Sequence, residues 1–278
     1  MLHYWYTVSA LLFVPFFLPA VVAAQSVHGE ETEIIEPPST REAPDAAKPD
    51  LERVSKLIIQ LTNEFRRQQG RTEVKPNAKL MATARYFADY MARTDRYGHT
   101  ADGNQPWDRA KKHGYEYCVI AENIAYDYSS AGFRTEELAR SFVEGWKHSP
   151  PHRKNMLDPD VTETGVAVAH SDKTGYYYAV QMFGRPASDR IEFAISNQAD
   201  TEVDYKLGDR TFRLPPGYTR THQQCRPTEL SLHPAEKDTS ANARTLKPAN
   251  GTRYIIEKVK DGKIQLKTER RAASPGKE

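Results

Sequence analysis

Apolar positions in the first half of the chain recur with the period of a helix. Between residues 51 and 69 they fall three or four positions apart, which predicts an amphipathic helix. The same spacing predicts helices over residues 77–95 and 135–146, and Pro106 marks the start of a short fourth helix. The Pro150-Pro151 pair should end the helix over 135–146, because proline donates no backbone hydrogen bond and disfavours helical geometry before it. We expect the histidine that follows these prolines to be exposed.

Strand patterns alternate with the helices and then replace them. Residues 162–169 and 176–183 are rich in β-branched and aromatic residues around a glycine-containing turn, which predicts a β-hairpin. Residues 115–120 predict a short strand that leads to Glu122 and Asn123, and we expect Asn123 to bond the backbone of a tight turn. Helices followed by a hairpin indicate a layered α+β domain.

From residue 188 onward the periodicity is that of strands alone. Six short runs alternate apolar and polar residues, with turn material such as Pro215-Pro216-Gly217 between them. Residues 235–250 are polar and are expected to form a long loop. The sequence therefore predicts an α+β domain over residues 51–187 and a small all-β, sandwich-like domain over residues 188–278.

The first fifty residues resemble neither domain. Residues 1–24 carry no Asp, Glu, Lys or Arg, are mostly apolar and end in small residues, which predicts a secretory signal peptide. The lack of Lys or Arg near Met1 leaves an uncleaved N-terminal anchor as the alternative. Residues 25–50 hold seven acidic and two basic residues with four prolines, and they predict an extended, solvated linker.

Composition narrows the classes of partner. The chain of 278 residues has a formal net charge of +2, and its basic residues are spread along the sequence. We expect no nucleic-acid partner, because that function needs clustered basic residues with interleaved aromatics, and membrane contact only through an uncleaved N-terminal segment. Cys118 and Cys225 would persist as a disulfide in an exported protein, and two separate buried thiols are an equal alternative.

One stretch carries most of the candidate chemistry. It reads Trp-Lys-His-Ser-Pro-Pro-His-Arg-Lys-Asn from Trp146 to Asn155, and two strand motifs follow it at residues 163–168 and 178–184. Gly98-His99 and Ala121-Glu122-Asn123 precede it in the chain. These motifs, in this order over residues 51–187, resemble the short bacterial form of the CAP superfamily, also called the SCP domain.

The resemblance implies a three-layer α-β-α sandwich with a groove into which histidines and acidic residues point. It assigns His99 and His152 as the two histidines and Glu122 as the acid, with Asn123 and Ser149 lining the groove. Two imidazoles and one carboxylate suit zinc and leave a fourth position for water, so a divalent metal is the expected cofactor. Ser149 stands where longer members of the family carry a second glutamate, and this departure favours binding over catalysis.

A simpler explanation stands beside each assignment. Glu122 would merely tie the loops to the sheet if it accepted a hydrogen bond from one imidazole. His148 and His152 are four residues apart, like a helical zinc pair, but the two prolines between them break the helix. Ser149 lacks the glycine-flanked turn of a serine nucleophile, and helix termination accounts for it. The three tyrosines at 176–178 are expected in the core rather than in a ligand groove.

Three functions are consistent with these patterns. The first is a secreted or envelope-attached binding protein, whose groove holds a small molecule, lipid, envelope component or metal and whose β domain docks it to a partner or surface. The second is a metal-dependent hydrolase that acts on peptide or cell-wall material through His99, Glu122 and His152. The third is a purely structural interaction protein.

Overall fold

The first part of the fold is a four-stranded sheet between two layers of helices. A computed structural model describes residues 32–38, 47–232, 245–259 and 264–270, so the predicted signal peptide at 1–24 lies outside the described residues. The helices are α1 (Leu51–Gln68), α2 (Ala78–Thr94), α3 (Pro106–Lys112), α4 (Thr135–His148) and α5 (Pro150–Met156). The strands are β1 (Glu33–Ile34), β2 (Lys75–Pro76), β3 (Arg96–Tyr97), β4 (Tyr117–Asp127), β5 (Glu163–His170) and β6 (Tyr177–Pro186).

The sheet follows the order β2-β5-β6-β4, which places β4 at one edge of the described strands. β5 and β6 pair antiparallel from Glu163 opposite Gly184 to His170 opposite Tyr177, so the predicted hairpin is confirmed. β4 is longer than predicted, because it pairs with β6 along nearly its whole length. Glu122 and Asn123 therefore lie within a strand, and the predicted tight turn at Asn123 is wrong.

The two helical layers follow from strand alternation, which sends successive side chains to opposite faces of the sheet. Val166 and Val168 of β5 pack with α1, α4 and α5, whereas Ala167 packs with α2 and α3. The predicted three-layer α-β-α sandwich is confirmed. Tyr177 and Tyr178 are buried in opposite layers, as the expectation of a core role requires.

Two prolines mark the junction between α4 and α5. α4 ends before the prolines, as predicted, although it reaches His148 rather than Trp146, and Ser149 is extended with φ −94° and ψ 115°. Pro150 and Pro151 then occupy the first positions of α5, where the absence of a backbone N–H costs nothing. His152 thus lies in the first turn of a second helix and is only 8% exposed, so the expectation of an exposed histidine is wrong.

Part of the predicted solvated linker is packed against the first domain. β1 pairs antiparallel with β3, and Ile35 is buried against the α2 layer while its neighbour Ile34 is exposed. Ala47 forms a bridge to Gly132. The acidic, proline-rich composition predicts an extended chain correctly, but the two-residue strand β3 gives that chain a backbone partner.

The remainder of the described chain forms two four-stranded sheets around a separate core. Its strands are β7 (Ile191–Asn197), β8 (Val203–Leu207), β9 (Arg210–Leu214), β10 (Thr219–Gln224), β11 (Leu230–Leu232), β12 (Thr245–Leu246), β13 (Thr252–Lys258) and β14 (Ile264–Arg270). The sheet orders are β10-β7-β13-β14 and β12-β11-β8-β9. The six predicted runs are all strands. β10 and β12 were not predicted, because β10 is polar throughout and β12 is two residues long within the expected loop.

A disulfide and two salt bridges join the α+β part of the chain to the β-sandwich part. Cys118 of β4 and Cys225 are bonded, with their Cα atoms 5.0 Å apart, which decides between the two alternatives for these cysteines. The adjacent Arg226 contacts Asp158 at 2.7 Å and Asp160 at 2.9 Å. Among the described residues, none of the helices has the length and apolar character needed to span a membrane.

Candidate functional site

The candidate residues meet at the edge strand β4, although each comes from a different element. His99 lies in the loop after β3, Glu122 lies in β4, and His152 lies in α5. Glu122 contacts the α3 layer, whereas its neighbour Asn123 contacts α5 on the other face of the sheet. The edge strand therefore lies between one histidine from each helical layer.

Glu122 is held by two partners in a buried position. Its Oε1 lies 2.8 Å from Nδ1 of His99, and Nη2 of Arg109 donates to Oε1 at 2.9 Å and to Oε2 at 2.8 Å. The Glu122 side chain is 1% exposed and that of Arg109 is 0% exposed. Because a carboxylate only accepts, the first contact assigns the His99 proton to Nδ1 and leaves Nε2 as the acceptor of the neutral ring.

Arg109 is the hub of this network. Its Nη1 donates to Asp102 at 2.8 Å and to the carbonyl of Asn104 at 2.7 Å, and its Nη2 also donates to the carbonyl of His99 at 2.9 Å. The guanidinium lies over the ring of Phe87, 3.5 Å from the centroid. One cation therefore compensates two buried carboxylates and fixes the loop that carries His99.

Two asparagines fasten α5 to β4. Nδ2 of Asn123 donates to the carbonyl of His152 at 3.2 Å. Nδ2 of Asn155 donates to the carbonyl of Glu122 at 3.2 Å and to Oδ1 of Asn123 at 3.0 Å. These contacts fix the backbone of the second histidine. Burial, with repulsion from His99, lowers the pKa of His152 to about 4, so its ring is neutral at pH 7.

Ser149 and His148 take no part in this arrangement. The hydroxyl of Ser149 is enclosed and has no hydrogen-bond partner among the described residues, so it is not paired with an imidazole. Nδ1 of His148 lies 2.7 Å from the carbonyl of Glu144 on the exposed side of α4. A nucleophile at Ser149 and a His148–His152 zinc pair therefore gain no support from the geometry.

Glu122, the acid of the predicted three-ligand zinc set, faces Arg109 and His99. Both of its oxygens are engaged, and within the described ranges no group of three or more His, Cys, Asp or Glu side chains is arranged to hold a metal ion. The simpler alternative, a hydrogen bond that Glu122 accepts from an imidazole, is present. Glu122 orients His99 through Nδ1, and His99 is near enough to His152 to lower the pKa of that ring.

Sequence reasoning missed Arg109 and Asp102. Arginine is seldom fully buried, and nothing in the spacing of a seven-residue helix marks one that is.

The comparisons agree with the motifs around His152. Residues 59–183 match the model of the cysteine-rich secretory protein family, CAP. The uncharacterized protein YkwD of Bacillus subtilis (strain 168) is 27% identical over 171 residues, which cover 60% of this chain and 62% of YkwD. The uncharacterized membrane protein YlbC of the same organism is 28% identical over 114 residues, 41% of this chain and 31% of YlbC. The chain thus spans less than two thirds of each relative.

Solved structures with a similar fold include two bacterial proteins. One is an extracellular protein containing an SCP domain from Bacillus anthracis, 24% identical, with a TM-score of 0.41 and coverage of 49% of this chain and 41% of that chain. The other is an outer surface protein from Borrelia burgdorferi, 18% identical, with a TM-score of 0.44 and coverage of 51% and 98%. The order of the motifs and the three-layer sandwich are consistent with the family match: residues 59–183 of this chain are similar to the cysteine-rich secretory protein (CAP) family.

Proposed function

We propose that the protein is an extracellular binding module whose ligand site is the pair of imidazoles of His99 and His152 at the edge of β4. The observation that carries this proposal is the buried Glu122, which holds His99 by Nδ1 while His152 is kept neutral. In the neutral form each ring has one unprotonated nitrogen. Such a nitrogen binds a divalent metal or accepts a hydrogen bond from a ligand.

Zinc is the ion that this donor set suits, because imidazole is one of its preferred ligands. His99 and His152 would hold the ion, and Glu122 would orient His99 from outside the coordination shell. A zinc ion in an incompletely filled site supplies a Lewis acid for an oxygen of a bound small molecule or envelope component. The residues of the chain fix the two imidazoles, and burial keeps that of His152 unprotonated at neutral pH.

Hydrolysis is less well supported by the same contacts. A general base must be free to take a proton, but both oxygens of Glu122 are occupied by Arg109 and His99. Ser149, where longer relatives carry an acid, offers no carboxylate. A peptide or cell-wall hydrolase therefore remains the competing function in the experiment below.

Two features support an extracellular location for this module. The Cys118–Cys225 bond belongs to an oxidising compartment, since cytosolic thiols are kept reduced. The composition of residues 1–24 predicts a signal peptide. The β domain, held to the first domain by that disulfide, would dock the module to the cell envelope or to a partner.

Calorimetric titration of zinc into the metal-stripped protein at pH 7 tests the proposal. The His152→Ala variant should lose at least tenfold in affinity, and Glu122→Gln should weaken binding by about 10- to 100-fold through loss of orientation. His148→Ala is the matched control, because this histidine is near in sequence but bonded to Glu144, and it should bind zinc like the wild type.

Failure of the wild type to bind zinc, or an equal loss in the His148→Ala control, would contradict a two-histidine metal site. The same proteins are assayed with peptide and cell-wall substrates. Zinc-dependent turnover that disappears with His152→Ala would establish the hydrolase instead.

A further inference from the structure

The β-sandwich has one side where the edge strands of its two sheets approach each other. Among the described strands, β9 lies at one edge of one sheet and β10 lies at one edge of the other. The hydroxyl of Tyr205 on β8 lies 2.7 Å from Nε2 of His222 on β10. The rings of Phe212 on β9 and His222 lie 4.9 Å apart between centroids. Phe212 and His222 are half-buried, so this side of the sandwich reaches solvent.

Two guanidinium groups converge on this opening. The Cζ atoms of Arg210 on β9 and Arg220 on β10 lie 5.1 and 5.4 Å from the centroid of the same Phe212 ring. The Cζ atoms of Arg210 and Arg220 are therefore separated by no more than the sum of these two distances. Neither of them forms an ion pair with a carboxylate within the described part of the chain.

The neighbouring arginine on β9 is arranged differently. Nε of Arg213 lies 3.2 Å from Oε1 of Glu202 and 3.2 Å from Oδ1 of Asp204, so acidic residues lie beside this strand. These acidic residues and Arg213 lie on the opposite face of the sheet from Arg210, because alternate residues of a strand point in opposite directions. Among the described residues, no carboxylate pairs with the positive charge on the face that carries Arg210 and Arg220. Burial and the proximity of these two arginines lower the pKa of His222, as a positive potential requires.

Structural roles account for each arginine taken alone. An inward charge protects an edge strand from pairing with another chain, and a guanidinium over a ring gains a cation–π attraction. Together, however, the two guanidiniums at one ring repel each other, and neither role removes that repulsion. Two cations held together without an anion are the arrangement found where proteins bind an oxyanion.

We propose that this opening, the arginine site formed by Arg210, Phe212, Arg220 and His222, binds a phosphate group. A tetrahedral phosphate presents oxygens in several directions and accepts hydrogen bonds from two guanidiniums at once, whereas a planar carboxylate is matched by one. The half-exposed ring of Phe212 gives apolar contact to the carbon chain of a phosphodiester. Free phosphate and the phosphodiester of an envelope polymer share this chemistry. The site lies in the β domain, apart from His99 and His152.

Calorimetry with the full chain tests the site with two probes, inorganic phosphate and poly(glycerol phosphate), each at low and at physiological salt. The Arg210→Gln/Arg220→Gln variant should bind either probe at least tenfold more weakly than the wild type. Arg213→Gln is the matched control, since it removes a guanidinium from the same strand but from the paired face, and its affinity should stay within twofold. Thermal unfolding of each variant verifies that the sandwich is intact.

The pattern of binding separates the outcomes. Binding of both probes, or of the polymer alone, supports the site, and the second result assigns it to phosphodiesters. The absence of wild-type binding to either probe overturns the proposal, as does an equal loss in Arg213→Gln, which would indicate unspecific charge attraction. The His152→Ala variant should bind both probes like the wild type. A result that contradicts the arginine site can therefore be told apart from one that contradicts the proposed histidine site.

Discussion

Arg109 and Glu122 form a buried ion pair in which one guanidinium nitrogen contacts both carboxylate oxygens, at 2.9 and 2.8 Å. The same guanidinium also pairs with Asp102, and all three side chains are at most 1% exposed. A pair of this kind is costly to break, because removal of one partner leaves the other charge without water or a counter-ion. It also fixes the orientation of Glu122, whose Oε1 contacts His99.

Arg109→Met should therefore destabilise the protein far more than loss of a surface pair. We expect a decrease of about 3 to 5 kcal/mol in the free energy of unfolding, because two buried carboxylates remain uncompensated. Urea unfolding at pH 7 measures it. Arg53→Met is the control, because Arg53 pairs with Glu136 in solvent and its loss should cost less than about 1 kcal/mol. Similar values for the two variants would show that the buried network contributes little.

His152 should make stability depend on pH between about 6.5 and 4. The pKa of His152 is lowered to about 4 in the folded protein by burial and by His99, whereas an unfolded histidine titrates near 6.5. The unfolded state thus binds the proton first as pH falls, and the folded state loses roughly 3 kcal/mol over this window by linkage.

Comparison of the wild type with His152→Gln isolates this contribution from that of other groups. Unfolding free energies are measured from pH 7 to pH 4 with chelator present, so that no metal competes for the ring. The wild type should lose more stability than His152→Gln as pH falls, whereas His148→Gln should follow the wild type. Parallel curves for wild type and His152→Gln would mean that His152 titrates normally in the folded state.

The Cys118–Cys225 disulfide should stabilise the whole chain by restricting its unfolded state. The bond closes a loop over a sequence separation of 107 residues. In the loop-entropy model a closure of this length contributes about 4 to 5 kcal/mol, so Cys118→Ser/Cys225→Ser should lower the free energy of unfolding by that order. Denaturant unfolding of the variant is compared with wild type in the presence and absence of reductant. Reductant should shift the wild type toward the variant and leave the variant unchanged.

Gly165 lies where α2 packs directly on β5. A Cβ atom added there would overlap the backbone of Leu80 and Met81, so Gly165→Ala must push the helix away from the sheet. We expect a loss of about 1 to 3 kcal/mol, as for other overpacked core positions. Thermal or denaturant unfolding measures it.

Gly145→Ala is a control of opposite sign. Gly145 lies in α4 with open space around its Cβ position, and alanine there should add about 0.5 to 1 kcal/mol through helix propensity. A stable Gly165→Ala variant would mean that α2 shifts without loss of packing.

The sequence by itself determined most of the helices and strands, because each of those has a periodicity that a single segment displays. The alternation in residues 162–183 specified the hairpin, and the helical spacing from Val54 to Phe65 specified α1. The prolines after Ser149 marked the end of α4, since the chemistry of proline is local. The resemblance at Trp146 and His152 also supplied the three-layer fold and the histidine pair. Contacts between distant segments left no comparable mark, as the polar strand β10 and the packed Ile35 illustrate.

Only the tertiary structure decided what the site residues contact. Sequence spacing cannot show that Arg109, in a seven-residue helix, reaches two carboxylates from two other elements, because burial of a charge depends on what surrounds it. The same holds for His152, because the burial that lowers its pKa exists only in the folded protein. The sequence shows which residue types are present. Their protonation states and their contacts depend on desolvation and on neighbouring groups in the folded protein.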